Sequence, residues 1–220
     1  MRRRGGGLNV YMPAQFEEKR IDVLHQLVGQ HPLGALVLHG EHGLDADHIP
    51  FEISAPTPQA PLGVLRAHVA RANPLWRSDG APALVLFQGP SAYVSPNHYE
   101  QKAISGKVVP TWNYAVVHAH GRLRTIDDPA WLLALLERLT RRHESTQQAP
   151  WNIGDAPRKY IDGLLKAIVG IEIPLDRLQG KWKASQNRPP AECERIAAGL
   201  AGQENGAGMA ALMRAMHRAD

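Results

Sequence analysis

The sequence predicts a mainly β fold, an antiparallel sheet closed around its own core with a few helices packed outside it. Three observations point there. Short strand-like stretches follow one another between turn residues. The 17 prolines and 20 glycines are spread along all 220 residues, which favours many short elements over long helices. Hydrophobic residues at 44% and charged residues at 21% supply a sizeable core and exclude a disordered or fibrous chain.

The first element is a helix over 16–28. Phe16, Ile21, Leu24, Leu27 and Val28 recur at three- and four-residue spacing, with Glu17, Glu18, Lys19 and Arg20 on the wet side. Gly29 and His31-Pro32 end it. Strands follow at 34–39, 48–54, 62–72, 83–88 and 93–95, each bounded by Gly, Pro, Asp or Asn. Residues 110–125 read as one bent strand or a strand pair, with Thr111, Trp112, Tyr114, Val116 and Val117 suited to a pleated surface. The second helix is signalled at both ends. Asp128 before Pro129 gives an N-cap and a proline at the first helical position, while Arg141, Arg142 and His143 suit a C-terminus. Trp131, Leu132, Leu135, Leu136 and Leu139 form its apolar stripe. A short helix near 157–164 leads into a last strand at 167–174. The alanine-rich segment from Pro189 onward is expected to be helical, broken near 202–208.

Composition excludes several classes. The longest apolar runs, such as 83–87, are too short to cross a bilayer, so no membrane role is expected. The single cysteine, Cys193, permits no internal disulfide and fits a reducing cytoplasm, and the start has no apolar signal region. Formal charge is +4, but Arg2–Arg4 carry much of it and leave the rest near neutrality, so no clustered nucleic-acid face follows. There is no Gly-x-Ser-x-Gly elbow, Walker loop or GxGxxG turn, which argues against a nucleotide-binding α/β fold. Cys193 lies between Glu192 and Glu194 on an expected surface helix, where both charges raise a thiol pKa and blunt it. No residue is therefore assigned to catalysis.

Four groups of residues bear on binding. His39, His42 and His48, with Glu41, Asp45 and Asp47, match no standard zinc spacing and have a hairpin turn's composition, so no metal is expected there. His118 and His120 alternate along a strand and share a face; a polar outer face accounts for them better than a metal, a haem or a histidine holding a flavin edge. From Arg66 to Trp76, a strand bearing His68 and Arg71 runs into the Asn73-Pro74 turn and gathers donors at a strand end. From Gly180 to Arg188, Lys181, Lys183, Ser185, Gln186, Asn187 and Arg188 surround Trp182. That second stretch describes an anion grip and a solvated basic turn equally well, the turn having Asn187 as cap of the following helix.

Certain runs, in this order, resemble the PaiB-type proteins. They are Tyr11-Met12-Pro13 with Phe16, His68 to Pro74, Tyr93-Val94-Ser95-Pro96 and Val109 to Tyr114 with Val117-His118. Leu139-Thr140 with His143-Glu144, Ala167 to Gly170 and Gly180 to Arg188 complete the set. The resemblance spans 11–190 and implies an FMN-binding split β-barrel, similar to the pyridoxamine-phosphate-oxidase-like fold and usually a homodimer. Family members are described as negative transcriptional regulators of sporulation and extracellular-enzyme genes. The chain departs from the pattern at Asn97-His98-Tyr99, where relatives usually carry a tryptophan-containing run. Residues 1–10 are then a disordered basic extension, and 191–220 a C-terminal helical tail.

By the same resemblance, FMN is approached by His48, Pro50 and Phe51 through their backbone. His68, Arg71 and Asn73 lie near the ribityl chain and phosphate, and Trp112 and Asn113 at the dimer-facing side. Lys181, Ser185, Gln186, Asn187 and Arg188 complete a polar pocket. Two other readings stand beside this one. Related split barrels hold or degrade haem, for which His118 or His120 would serve. A repressor could bind DNA directly through the C-terminal helices, although residues 209–218 are mostly apolar where base-reading side chains are needed.

Overall fold

The computed structural model describes residues 10–217, so nearly all of the expected basic extension lies outside the described residues. In chain order the elements begin with β1 (Glu17–Glu18), α1 (Ile21–Gln30), β2 (Leu33–Gly40), β3 (Gly43–Pro50), β4 (Glu52–Ile53), β5 (Val64–Ala70) and β6 (Pro82–Val94). They continue with α2 (Gln101–Ser105), β7 (Thr111–Arg122), β8 (Arg124–Ile126), α3 (Pro129–Glu144) and α4 (Arg158–Lys166). The chain closes with β9 (Ile168–Lys183), α5 (Pro190–Ala201) and α6 (Ala207–His217). Strand order is β3-β2-β6-β7-β9-β5-β4, and β1 and β8 also pair with β9. The fold is mainly β with peripheral helices, as expected. Two compact units divide it: residues 20–89 with 116–179, and residues up to 19 with 90–115 and those from 180 onward.

The larger unit, 20–89 with 116–179, holds the hairpin β2–β3. Its turn closes at Gly40↔Gly43, and Gly43 at φ 115 takes the left-handed conformation that a side chain disfavours. Alternation sends Leu65, Ala67 and Val69 of β5 inward beside Val85, Phe87, Val117, Val169 and Ile171. Phe51 packs edge-on to Phe87 at 5.9 Å. Asp128 caps α3 as expected, its carboxylate accepting from Ala130 N at 2.8 Å. The ring of Trp131 on α3 lies over Gly170 of β9, where an added Cβ would fall 2.5 Å from it. Leu132 of α3 joins Ile161 and Leu165 of α4 in a satellite cluster.

The smaller unit is organised around α5 and α6. Cys193, Ile196, Ala197 and Leu200 of α5 meet Met209, Ala210 and Met213 of α6, with Val94, Tyr99 and Ala184. Apolar residues of α6 that made it a poor base reader are thus core residues.

Five expectations change. The first helix begins at Ile21, because Glu17–Glu18 extend as β1 and pair with Lys181 and Gly180 of β9. Residues 83–88 and 93–95 belong to one strand, β6. The buried positions are odd through Gly89 and even from Ala92, so Gly89-Pro90-Ser91 shift the phase by one residue as a bulge would, without turning the chain. The last strand runs on to Lys183, so the start of the second donor stretch is strand and not turn. Pro189, not Asn187, is the N-cap of α5, with no side-chain cap bond. Cys193 is fully buried rather than on a surface helix.

Candidate functional site

In the larger unit, β5 presents Arg66 and His68 on the face opposite its buried residues. Register sets Arg66 beside Glu172 of β9 and Glu52 of β4, and sets His68 beside Gly170. Arg66 Nε donates to Glu172 Oε2 at 2.9 Å, and Arg138 of α3 makes a forked bond to Glu52 at 2.8–3.1 Å. His68 therefore shares its face with an alternating charge row and with the Gly170 position covered by Trp131. Its Nδ1 is buried without a partner, and burial lowers its pKa.

Arg71 and Asn73 are engaged within the protein. The Arg71 guanidinium donates to both Asp127 oxygens, at 3.0 and 2.5 Å, and to the carbonyls of Lys166 and Ile168. The Asp127 bond raises the arginine's pKa and lowers the carboxylate's. Asn73 Oδ1 accepts from Leu75 N and caps the turn at Pro74–Arg77, while Nδ2 donates to Asp47 at 3.0 Å. His48 and Pro50 are exposed, whereas Phe51 is a core residue whose N–H donates to Pro32 O. Among the described residues no three His, Cys, Asp or Glu side chains converge as a metal cluster.

Half-buried positions of β7 alternate with buried Val117 and Ala119, so His118 and His120 do share a face. Arg177 Nη2 lies 2.9 Å from His120 Nδ1. A guanidinium can only donate, so Nδ1 accepts and the imidazole proton sits on Nε2. His120 thus has no lone pair to offer a haem iron while that bond stands. Burial and the Arg177 charge lower its pKa, with the nearby Gln179 amide opposing. His120 Nε2 and Gln179 Oε1 are both buried without a hydrogen-bond partner. Gln179 escaped the sequence reading. The expected last strand stops at residue 174, five positions short of it, whereas β9 runs on to Lys183.

In the smaller unit the Lys181–Arg188 stretch is tied to its own surroundings. Lys181 Nζ donates to Tyr11 O at 2.9 Å and stands 5.5 and 5.6 Å from the Tyr11 and Tyr114 ring centroids. Lys183 Nζ donates to Thr111 Oγ1 and to Trp112 O. Asn113 and Ser185, 0% and 5% exposed, bond to each other at 2.9 Å. Ser185 at φ 61 occupies the left-handed region. Gln186 Oε1 accepts from Ala184 N, and its Nε2 donates to the carbonyls of Gln15 and Trp182. Arg188 lies 4.2 Å from the Tyr99 ring centroid and bonds Glu192. Asn187 is exposed. Cys193 Sγ donates to Ser185 O at 3.2 Å, and burial, then the Glu192 charge, raises its pKa. Trp112, 53% exposed, tilts against Tyr93 at 6.1 Å and offers flat apolar surface.

The family model described as "Putative FMN-binding domain" matches residues 10–177. An uncharacterized protein of Emericella nidulans is 37% identical over 228 aligned positions, covering 87% of this chain and 90% of that one. The protease synthase and sporulation protein PAI 2 of Bacillus subtilis is 29% identical over 201, covering 89% of this chain and 91% of that one. Among solved structures, the FAD and heme binding protein from Mycobacterium smegmatis matches with a TM-score of 0.58 at 20% identity. It covers 86% of this chain and 82% of that chain. That likeness identifies the split-barrel fold.

Proposed function

Because the chain belongs to the FMN-binding-domain family and is a homologue of Bacillus PaiB, we propose that it is a flavin-binding split-barrel protein whose ligand is flavin mononucleotide. The observation that carries this reading is the set of polar atoms left without partners on half-buried residues of the larger unit: His68 Nδ1, His120 Nε2 and Gln179 Oε1. Native proteins leave few such atoms, and a heterocycle with ring nitrogens and carbonyls is the kind of ligand that completes them. The exposed Trp112 and Tyr93 of the smaller unit suit a flat ring or a second copy of the chain, which supports a homodimer. When bound, the flavin would supply one- or two-electron chemistry. The chain's own contribution is binding and orientation.

A regulatory role is carried over from the PaiB resemblance, the Bacillus relative being named for protease synthesis and sporulation. Direct base readout is the weaker form of that role, since the apolar side of α6 is engaged with α5. The test is titration of the purified protein with FMN, followed by quenching of flavin fluorescence and by the visible spectrum. Saturable quenching at micromolar flavin supports the reading. Unchanged fluorescence at a hundredfold excess of protein overturns it.

A further inference from the structure

His120 and Gln179 form a complementary couple. The Arg177 bond fixes the imidazole as a donor at Nε2, and Gln179 Oε1 is an acceptor. Both atoms are buried and neither makes a well-formed hydrogen bond or meets any third group; they lie within loose reach of each other, the Gln179 amide favouring the charged imidazole. One donor and one acceptor side by side match a cyclic imide, –CO–NH–CO–, whose carbonyl accepts while its N–H donates. The isoalloxazine ring carries that group along one edge, at N3 and its flanking carbonyls.

We propose that His120 and Gln179 read the imide edge of the flavin, His120 Nε2–H donating to a ring carbonyl and Gln179 Oε1 accepting from N3–H, with Arg177 as the positioning residue that fixes the tautomer. This rests on the flavin-binding reading above. Neither atom is open to water as the side chains stand. The bound edge therefore separates the imidazole from the Gln179 amide, a movement that an unbranched, half-buried glutamine permits.

The experiment compares riboflavin with 3-methylriboflavin, which lacks the N3–H, by fluorescence titration of the full chain. The wild-type protein is expected to bind riboflavin at least tenfold more tightly than its methylated analogue. Gln179→Leu should abolish that preference by weakening riboflavin alone, and His120→Phe should weaken both ligands while keeping their ratio. Arg177→Met frees the ring to place its proton on Nδ1. Riboflavin affinity of that variant should then rise as pH falls through the imidazole's titration, where the wild-type profile is flat. The thermal melt of Gln179→Leu should stay near wild type, because its Oε1 has no settled protein partner, whereas His120→Phe also gives up the Arg177 bond and should melt somewhat earlier. Equal wild-type affinity for the two flavins overturns the imide reading and leaves flavin binding standing. Failure of riboflavin, its methylated analogue and FMN alike to bind overturns flavin binding, and the imide reading with it.

Discussion

The two compact units treat most of their polar side chains differently, although the Tyr99 hydroxyl of the smaller unit is also buried without a partner. In the smaller unit, the lysines, serine and glutamine of the 181–188 stretch each meet a carbonyl, a hydroxyl, an amide or an aromatic ring within the unit. In the larger unit, His68, His120 and Gln179 keep atoms without partners under comparable burial. Density of donors in the sequence therefore does not by itself mark a site. An arginine or lysine already held by the fold contributes to stability first, and a ligand must displace what holds it. Unsatisfied polar atoms are the better pointer, because the fold carries their cost without return until something completes them.

Mutations in the two units sharpen that contrast. The largest effect is expected in the smaller unit. Asn113→Leu removes one half of a fully buried pair and leaves the Ser185 hydroxyl without its acceptor and donor, which should cost about 1–3 kcal/mol of unfolding free energy. The matching change in the larger unit, Gln179→Leu, should be close to neutral in a urea titration, since no hydrogen bond holds its Oε1. A large loss there would mean that Gln179 is scaffold, and the contrast would fail.

Next in size is Lys181→Ala. It removes the bond to Tyr11 O and the contacts with the Tyr11 and Tyr114 rings, together about 1 kcal/mol. Limited proteolysis should cut sooner near residues 11–16, while flavin affinity stays within twofold. If affinity collapses instead, the lysine belongs to the ligand and not to the N-terminal segment.

The units should also fail at opposite ends of the pH scale. His68 and His120 have folded-state pKa values below the ordinary 6.5, so the unfolded chain takes up their protons first. Their contribution is complete above pH 6.5 and is lost as pH falls below it toward the folded values. Tyr99 and Cys193 are shifted upward from 10.0 and 9.0, chiefly by burial. The unfolded chain therefore loses those protons first, and stability falls as pH rises past 9. Urea midpoints at pH 5.5, 7.5 and 9.5 measure both limbs. Replacing His68 and His120 by Phe should flatten the acid limb alone.

Much of this architecture could be read from the residues. The Asp128-Pro129 cap, the leucine stripe of α3 and the His68 to Pro74 strand and turn are local signals, and local physics produced them. The PaiB-like runs pointed to the split barrel as a whole. What escaped was set by distant partners. Glu17–Glu18 look like the wet side of a helix until β9 offers them an edge. Gly89-Pro90 look like a turn, because one-residue slips in a paired strand leave no compositional trace. The candidate site was legible only in outline. His68 stood out on the donor-bearing strand before the Asn73-Pro74 turn, but Gln179 could not be separated from other surface glutamines without knowing that β9 continues past Pro174. Whether Arg71 is free or held is decided by Asp127, 56 positions away.

The smallest expected effect concerns Asn187, and it bears directly on how a donor-rich turn should be read. If its side chain capped α5, Asn187→Ala would cost about 0.5–2 kcal/mol. In the structure the helix starts after Pro189, and Pro190 at its first position needs no acceptor for a missing N–H. Arg188 ties the first turn to Glu192. Asn187→Ala should therefore change the unfolding free energy from urea titration by no more than about 0.5 kcal/mol, the range of an ordinary surface substitution. Asn187 is also the exposed member of the stretch, so it is the one side chain there that can meet a ligand without first leaving a partner. A neutral stability combined with weakened FMN binding would move part of the site onto the smaller unit. Neutrality in both measurements would make the whole stretch scaffold and leave recognition to the unpartnered atoms of β7 and β9.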